Sequence, residues 1–270
     1  VKNSDPQSRE RPSLDRRENA VRVVSLDVNV VQFESLVRQL HELREAGRAG
    51  YVCFSTVHMV MESHDSPEFG EKVNGADIVV PDGMPLVWMQ KLQGRKDANR
   101  VRANDLMMRL MQYAAANHLK VGFYGGKPEV IDAIKVRAAA ELPQLKIVYA
   151  YSPPFRPLTE EEDERIVREI NAANPDFLFM GLGCPKQETW MAAHRDRLSS
   201  IMLGVGASFD FYAGNVKESP QWLGRLGLEW LYRLTQEPRR LWRRYLILNP
   251  RFMWLAARQL SGRDKSNRHV

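Results

Sequence analysis

The chain has 270 residues, 44% of them hydrophobic and 27% charged, with a formal net charge of +6. That length suits one large α/β domain or two small ones, and the composition is that of an ordinary folded protein. Cys53 and Cys184 lie far apart and outside any CxxC or CxxH context, which excludes a zinc motif and a disulfide framework and suits a reducing compartment; no apolar run approaches the length of a membrane span. The charge is uneven. Residues 233–270 hold ten Lys or Arg against two acids, a charge of +8, and leave −2 for the rest. A basic tail on a near-neutral body suggests an anionic partner: a membrane surface, a nucleic acid or a phosphate-bearing substrate.

Residues 1–19 are polar and without apolar periodicity, which reads as a disordered leader. Val21 to Val31 is β-branched and predicts a strand or strand pair, and Phe33 to Glu45 has helical spacing with Gly47 just beyond its end. Tyr51 to Val57 predicts a buried strand, and Val60 to Glu71 includes a helix. The run ADIVVPDGMPLVW, Ala76 to Trp88, predicts strand, tight turn and helix, with a lone carboxylate, Asp82, at the strand's carboxyl end. Ligands bind at such ends in open α/β sheets. The plainer alternative is that Asp82 caps the next helix.

Helical spacing returns from Arg100 to Ala116. Strands are predicted at Val121–Tyr124, Lys146–Tyr151, Phe177–Gly181 and Ile201–Val205. Helices fall between them, the clearest at Thr159–Asn171 with its N-cap threonine and acidic first turn. This alternation predicts a mostly parallel, Rossmann-like α/β sheet covered by helices on both faces. The expected division is a leader over 1–19, an α/β core over 20–222 and a basic helical appendage over 223–270. The appendage reads as helices at 223–234, 239–248 and 251–260, broken at Asn249-Pro250. Arginines interleave there with tryptophans and leucines, a pattern that fits a packed helical subdomain or an interfacial membrane segment.

Three strand-end loops, 125–128, 181–188 and 204–208, are glycine-rich, and backbone amides there can approach an anionic or nucleotide ligand. None has Walker or GxGxxG spacing. Gly125 belongs to the first loop. In the second, Lys186 can meet a phosphate, and Gln187 can hydrogen-bond a sugar hydroxyl or nucleobase; as helix-start residues, Lys186 and Glu188 can equally face solvent. In the third segment Asp210 is either a buried cap or a ligand contact. HxxxH, HExxH, DxD and GxSxG are all absent, so the motifs offer no metal site and no hydrolase serine, and arginines and lysines are left to neutralise phosphate. No cofactor is signalled.

Taken in order, ADIVVPDG, RVxxxDL (Arg100 to Leu106), NPDFLFMGLGCPKQE, GVGASFDFYAG and GLEWLYRLxxEPRRLWRRYL closely resemble the WecG/TagA/CpsF family, glycosyltransferase family 26, over roughly residues 22–258. The resemblance implies an inverting, metal-independent transferase. Its donor would be a UDP-sugar and its acceptor a sugar on polyprenyl diphosphate, with the enzyme held peripherally at the cytoplasmic face of the inner membrane. It implies that Asp82 is the general base, that Arg100 contacts the diphosphate and that Gln187 is an active-site glutamine. It also implies an appendage that closes over the site and meets an anionic membrane surface, with Arg233, Arg240 and Arg243 offsetting charge on the leaving diphosphate. Where many members carry Thr-x-Asn, this chain has Phe54-Ser55-Thr56, and Thr56 falls at the asparagine. Losing that amide points to glucosyl transfer from UDP-glucose onto a glucosyl-diphosphate polyprenol in exopolysaccharide synthesis. The alternative is N-acetylmannosaminyl transfer onto an N-acetylglucosaminyl acceptor.

A polyanion-binding module is the competing class. The aromatics lie at helical spacing in the tail, not on strand platforms as in RNA-binding sheets, so a nucleic acid is not the expected partner. An idle scaffold is a third option if Asp82 is inaccessible. Homo-oligomers that hide the apolar tail in solution are compatible with this reading. Deleting residues from about Leu234 onward is expected to abolish transfer and membrane binding while the core stays folded.

Overall fold

The computed structural model describes residues 19–262, so all but the last residue of the expected leader lies outside the described residues. Six strands form one parallel sheet: β3 (Gly50–Ser55), β4 (Ile78–Pro81), β5 (Lys120–Gly125), β6 (Lys146–Tyr151), β7 (Phe177–Gly181) and β8 (Ile201–Gly204), in the order β4-β3-β8-β7-β5-β6. Successive strand residues point to opposite faces, and the packing follows that rule. Val52, Phe54, Phe177, Phe179, Ile201 and Leu203 join one core, while Tyr51, Cys53, Leu178, Met180 and Met202 join the other. Burial on both faces explains why the strands read as continuous apolar runs.

Helices α1 (Phe33–Glu45), α5 (Ala103–Ala116), α6 (Pro128–Glu141) and α9 (Ser208–Tyr212) cover the first face. The second is covered by α2 (Val57–Asp65), α3 (Pro67–Asn74), α4 (Met84–Leu92), α7 (Glu160–Ala173) and α8 (Lys186–His194). The stretch 60–71, expected to include a helix, spans parts of two, α2 and α3, because Ser66 accepts from the Phe69 amide and Pro67 opens a new first turn. The expected N-cap threonine is present and forms a capping box: Thr159 and Glu162 satisfy each other's backbone amides at the start of α7. A β1–β2 hairpin (Ala20–Val23, Leu26–Asn29) lies over the β4 edge, where Asn29 Oδ1 accepts from the Val79 amide at 2.8 Å.

The residues expected to form the appendage, with Gln221 and Trp222 before them, fold as α10 (Gln221–Arg225), α11 (Glu229–Gln236), α12 (Pro238–Leu246) and α13 (Leu248–Leu260). The helix boundary falls at Ile247, not at Asn249-Pro250. Pro250 sits in the first turn of α13, where a missing N–H costs nothing. This last helix is part of the core. Phe252 is only 3% exposed and packs with Leu255 and Ala256 into the cluster that holds Met59 and Met61 of α2. Gln259 bonds the β1–β2 hairpin at the Val24 amide (2.8 Å) and the Arg22 carbonyl (2.7 Å). A truncation at Leu234 therefore strips core packing, against the expectation that the core survives it. Phe252→Ala should cost about 3–5 kcal/mol, a large share of the ~5–15 kcal/mol that stabilises a domain. A urea melt checks this, and an unchanged midpoint would place α13 outside the cooperative unit.

Candidate active site

The site lies at the carboxyl ends of β3, β4, β7 and β8, under α11 and α12. Two amides, of Asp82 and Gly83, donate to the Ser55 carbonyl at 2.9 and 3.2 Å, so the end of β3 fixes the turn after β4. Asp82 does not cap α4, whose N-cap is Gly83 with no side-chain bond. Its carboxyl faces Arg100 (Nη2 to Oδ1 3.4 Å) and the Ala103 amide that opens α5. Arg100 Nε also donates to the Asp82 carbonyl. The Asp82 side chain is 20% exposed, so it is accessible. Burial pushes its carboxyl above the usual carboxylate range, with Arg100 pulling it back down and Glu229 adding to the rise.

Two lobes of one cleft meet at this carboxylate. The first, a cavity of about 110 Å³, is bounded by Met84, Pro85, Arg100, Trp230 and Tyr245. The second, a cavity of about 320 Å³, is bounded by the turns Gly181–Gly183 and Gly204–Gly206, by Ser208 and by Asp210. Thr56, Asp82, Glu229, Arg233 and Arg244 line both. At about 320 Å³ the second lobe falls within the roughly 300–1000 Å³ of small-molecule sites. Arg233 Nε is a buried donor with no hydrogen-bond partner among the described residues. Arg244 Nη2 donates to Thr56 Oγ1 at 3.3 Å, which ties α12 to the end of β3.

Of the residues singled out from sequence, Asp82, Thr56, Arg100, Gln187, Asp210 and Arg233 are brought to this cleft. Gln187 is nearly buried and its amide is already engaged. Oε1 accepts from the Gly183 amide (3.1 Å), and Nε2 donates to the Gly204 carbonyl and Glu188 Oε1 (both 2.8 Å), so it clamps the ends of β7 and β8. Burial pushes the neighbouring Glu188 carboxyl up to about 7. Three residues stand elsewhere. Lys186 borders a separate cavity beside Tyr124 and Trp190. Gly125, at φ +118°, is a packing position, because a Cβ there would lie 2.6 Å from the Gly181 carbonyl carbon. Arg243 is exposed, with its guanidinium 5.3 Å from the Trp242 ring centre. The side chain of Arg240 lies outside what is described.

Sequence reasoning missed Glu229, Arg102 and Arg244. His58 lines the first lobe, and burial together with Arg244 holds it down at about 4, hence neutral at pH 7. Glu229 reaches from α11 to Arg100 (2.7 Å) and Arg102 (3.8 Å). Burial pushes its carboxyl up, but Arg100, Arg102 and Arg233 outweigh that and hold it below the ordinary range. A signal for Arg244 did exist. At about 100° per residue it lies about 60° from the buried Leu241 and about 100° from Tyr245 on the helical wheel, while Arg243 lies about 160° from both. Among the described residues no group of three or more His, Cys, Asp or Glu is arranged to hold a metal ion.

An accessible carboxylate facing arginines, at the mouth of a parallel sheet, is an arrangement suited to deprotonating a hydroxyl beside a phosphate-bearing group. The chain is 32% identical over 182 residues to the N-acetylglucosaminyldiphosphoundecaprenol N-acetyl-beta-D-mannosaminyltransferase of Bacillus subtilis, covering 67% of this chain and 69% of that protein. It is 30% identical to the enzyme of the same name from Bacillus spizizenii (76% and 77% covered) and 31% identical to that of Staphylococcus aureus strain MW2 (70% and 72%). The profile of the glycosyl transferase WecG/TagA/CpsF family matches residues 21–266, nearly the whole chain. By this match and these relatives, the chain belongs to the WecG/TagA/CpsF family of glycosyltransferases.

Proposed function

We propose that the protein transfers an N-acetylmannosaminyl residue from its UDP donor onto an N-acetylglucosaminyl-diphosphate polyprenol, with Asp82 as general base. The observation that carries this is the position of Asp82 at the junction of the two lobes. The nucleotide diphosphate occupies the larger, glycine-walled lobe, and the acceptor hydroxyl enters through the smaller one. Asp82 takes the hydroxyl proton as the oxygen bonds to the anomeric carbon. The bond to the diphosphate breaks, and its electron pair leaves with the nucleotide. Arg233 and Arg244 offset the charge that develops there, a contribution made mainly in the transition state.

The sugar identity rests on the relatives, all three named as mannosaminyltransferases. They favour this reading over the glucosyl transfer suggested by Phe54-Ser55-Thr56. Thr56 still offers a hydroxyl at the cleft, where it accepts from Arg244 of α12. The test is a transfer assay in which each acceptor, N-acetylglucosaminyl- or glucosyl-diphosphate polyprenol, meets UDP-N-acetylmannosamine or UDP-glucose. Mannosamine transfer supports the proposal, glucose transfer alone moves the protein to the exopolysaccharide reading, and no product from any pair sinks both.

A peripheral seat on the cytoplasmic face of the membrane belongs to the same proposal. Among the described residues no helix is long and apolar enough to cross a membrane. The appendage exposes Trp222, Leu246, Ile247, Met253 and Trp254, and Arg258 lies over the Trp254 ring at 4.8 Å. Arginine beside exposed tryptophan and leucine is the composition of an interfacial surface. Trp254→Asp, at a position 58% exposed, should weaken co-sedimentation with anionic vesicles at least tenfold and leave the melting midpoint unchanged. Equal binding by the variant, or by wild type to neutral vesicles, argues against this surface.

A further inference from the structure

We infer that Glu229, on appendage helix α11, is a positioning residue for the base: it holds the Arg100 guanidinium away from full pairing with the Asp82 carboxylate, so that docking of the appendage keeps Asp82 a strong proton acceptor. The inference rests on the reading of Asp82 as general base.

Geometry carries it. Arg100 Nη2 is 2.7 Å from Glu229 Oε2 but 3.4 Å from Asp82 Oδ1. The short contact is a well-formed charge-assisted hydrogen bond; the long one is at the limit. The other donor of the fork near Asp82, Nε, is spent on the Asp82 carbonyl, which fixes the backbone and leaves the carboxylate alone. One guanidinium thus serves two carboxylates, and the appendage holds the better bond. All three side chains are largely buried, with Asp82, Arg100 and Glu229 between 16% and 20% exposed, so the contest is only weakly screened by solvent.

The alternatives around the site do not replace this contact. Arg102 reaches Glu229 only at 3.8 Å and is shared with Glu218 (3.1 Å) and Asp105 (3.4 Å). His58 from α2, Arg233 from α11 and Arg244 from α12 share the cleft with Asp82, and His58 is neutral at pH 7. Without the Glu229 charge, Arg100 is free to close on Asp82. A carboxylate paired with an arginine is a weaker base. Glu229 itself takes no proton in the reaction, and its part is to direct Arg100.

The test reads Asp82 directly. Full-length protein labelled with ¹³Cγ-aspartate is titrated by NMR, with the Asp82 resonance identified by its loss in Asp82→Asn. In Glu229→Gln the midpoint should move to lower pH, and in Glu229→Asp, whose charge is kept on a shorter arm, it should move less in the same direction. A midpoint unchanged or raised in either folded variant overturns the inference. In the transfer assay the Gln variant should lose kcat on the order of tenfold at neutral pH, with an acid limb displaced downward and no rise in donor KM. A merely structural role for Glu229 leaves the limb in place. Absence of transfer from every sugar pair removes the proposed function, while the titration still decides the role of Glu229.

Discussion

Asp82→Asn should lower kcat for sugar transfer by about 10²- to 10⁴-fold, the usual worth of a general base, with donor binding within a few-fold of wild type. Asparagine keeps the size and the bond to the Ala103 amide is replaceable, so the fold should persist; only the capacity to accept a proton is lost. The pH dependence has a definite sign. A carboxylate is the active form, so the rate falls as pH drops through the Asp82 value, and burial, opposed by Arg100, places that value above the ordinary carboxylate range. The acid limb should therefore appear at higher pH than an exposed aspartate would give, and it should vanish in the asparagine variant. Steady-state kinetics over pH 4–9 provide the check. An Asp82→Asn enzyme with wild-type kcat would move the base elsewhere in the cleft.

Arg244→Ala should cost about 10²- to 10³-fold in kcat, comparable to removing one preorganised donor from a transition-state site. Arg243→Ala should cost less than threefold. The two residues are neighbours in sequence and both cationic, yet their surroundings differ. Arg244 lines both lobes and donates to Thr56 at 3.3 Å, whereas Arg243 is exposed against the face of Trp242. A charge developing on a departing diphosphate is stabilised far more by a cation inside a water-poor cleft than by one in solvent. Paired kinetics on the two variants make the comparison, and equal losses would tie the effect to overall tail charge instead of cleft geometry.

Much of this was legible in the residues themselves. The bounds of α1 and β6 follow directly from periodicity and apolar runs, and the alternation of strands with helices predicts the parallel sheet. The Thr159-x-x-Glu162 box announces the start of α7 because its chemistry is local. The carboxylate of the PDG turn was legible for a related reason: a lone acid after a buried strand must surface at the sheet's carboxyl end. The order of motifs pointed to the family that the comparisons confirm.

The rest required the tertiary structure, since it depends on contacts between residues distant in sequence. Glu229 meets Arg100 across 129 positions, and nothing local to GLEWLYRL marks it as a partner. Composition alone read residues 223–270 as one appendage. Only packing separates α13, whose Phe252 is seated in the core, from α11 and α12, which roof the cleft. Gln187 and Gly125 were noticed as loop residues suited to a ligand. The fold gives the first the work of joining two strand ends and the second a close approach between β5 and β7. Hydrophobic period, caps and turn chemistry act over a few residues, so the sequence by itself determined the sheet, its helices and the place of the carboxylate. Which cations face that carboxylate depends on how the appendage docks, and that was decided only by the burial and charge pairing of the assembled fold.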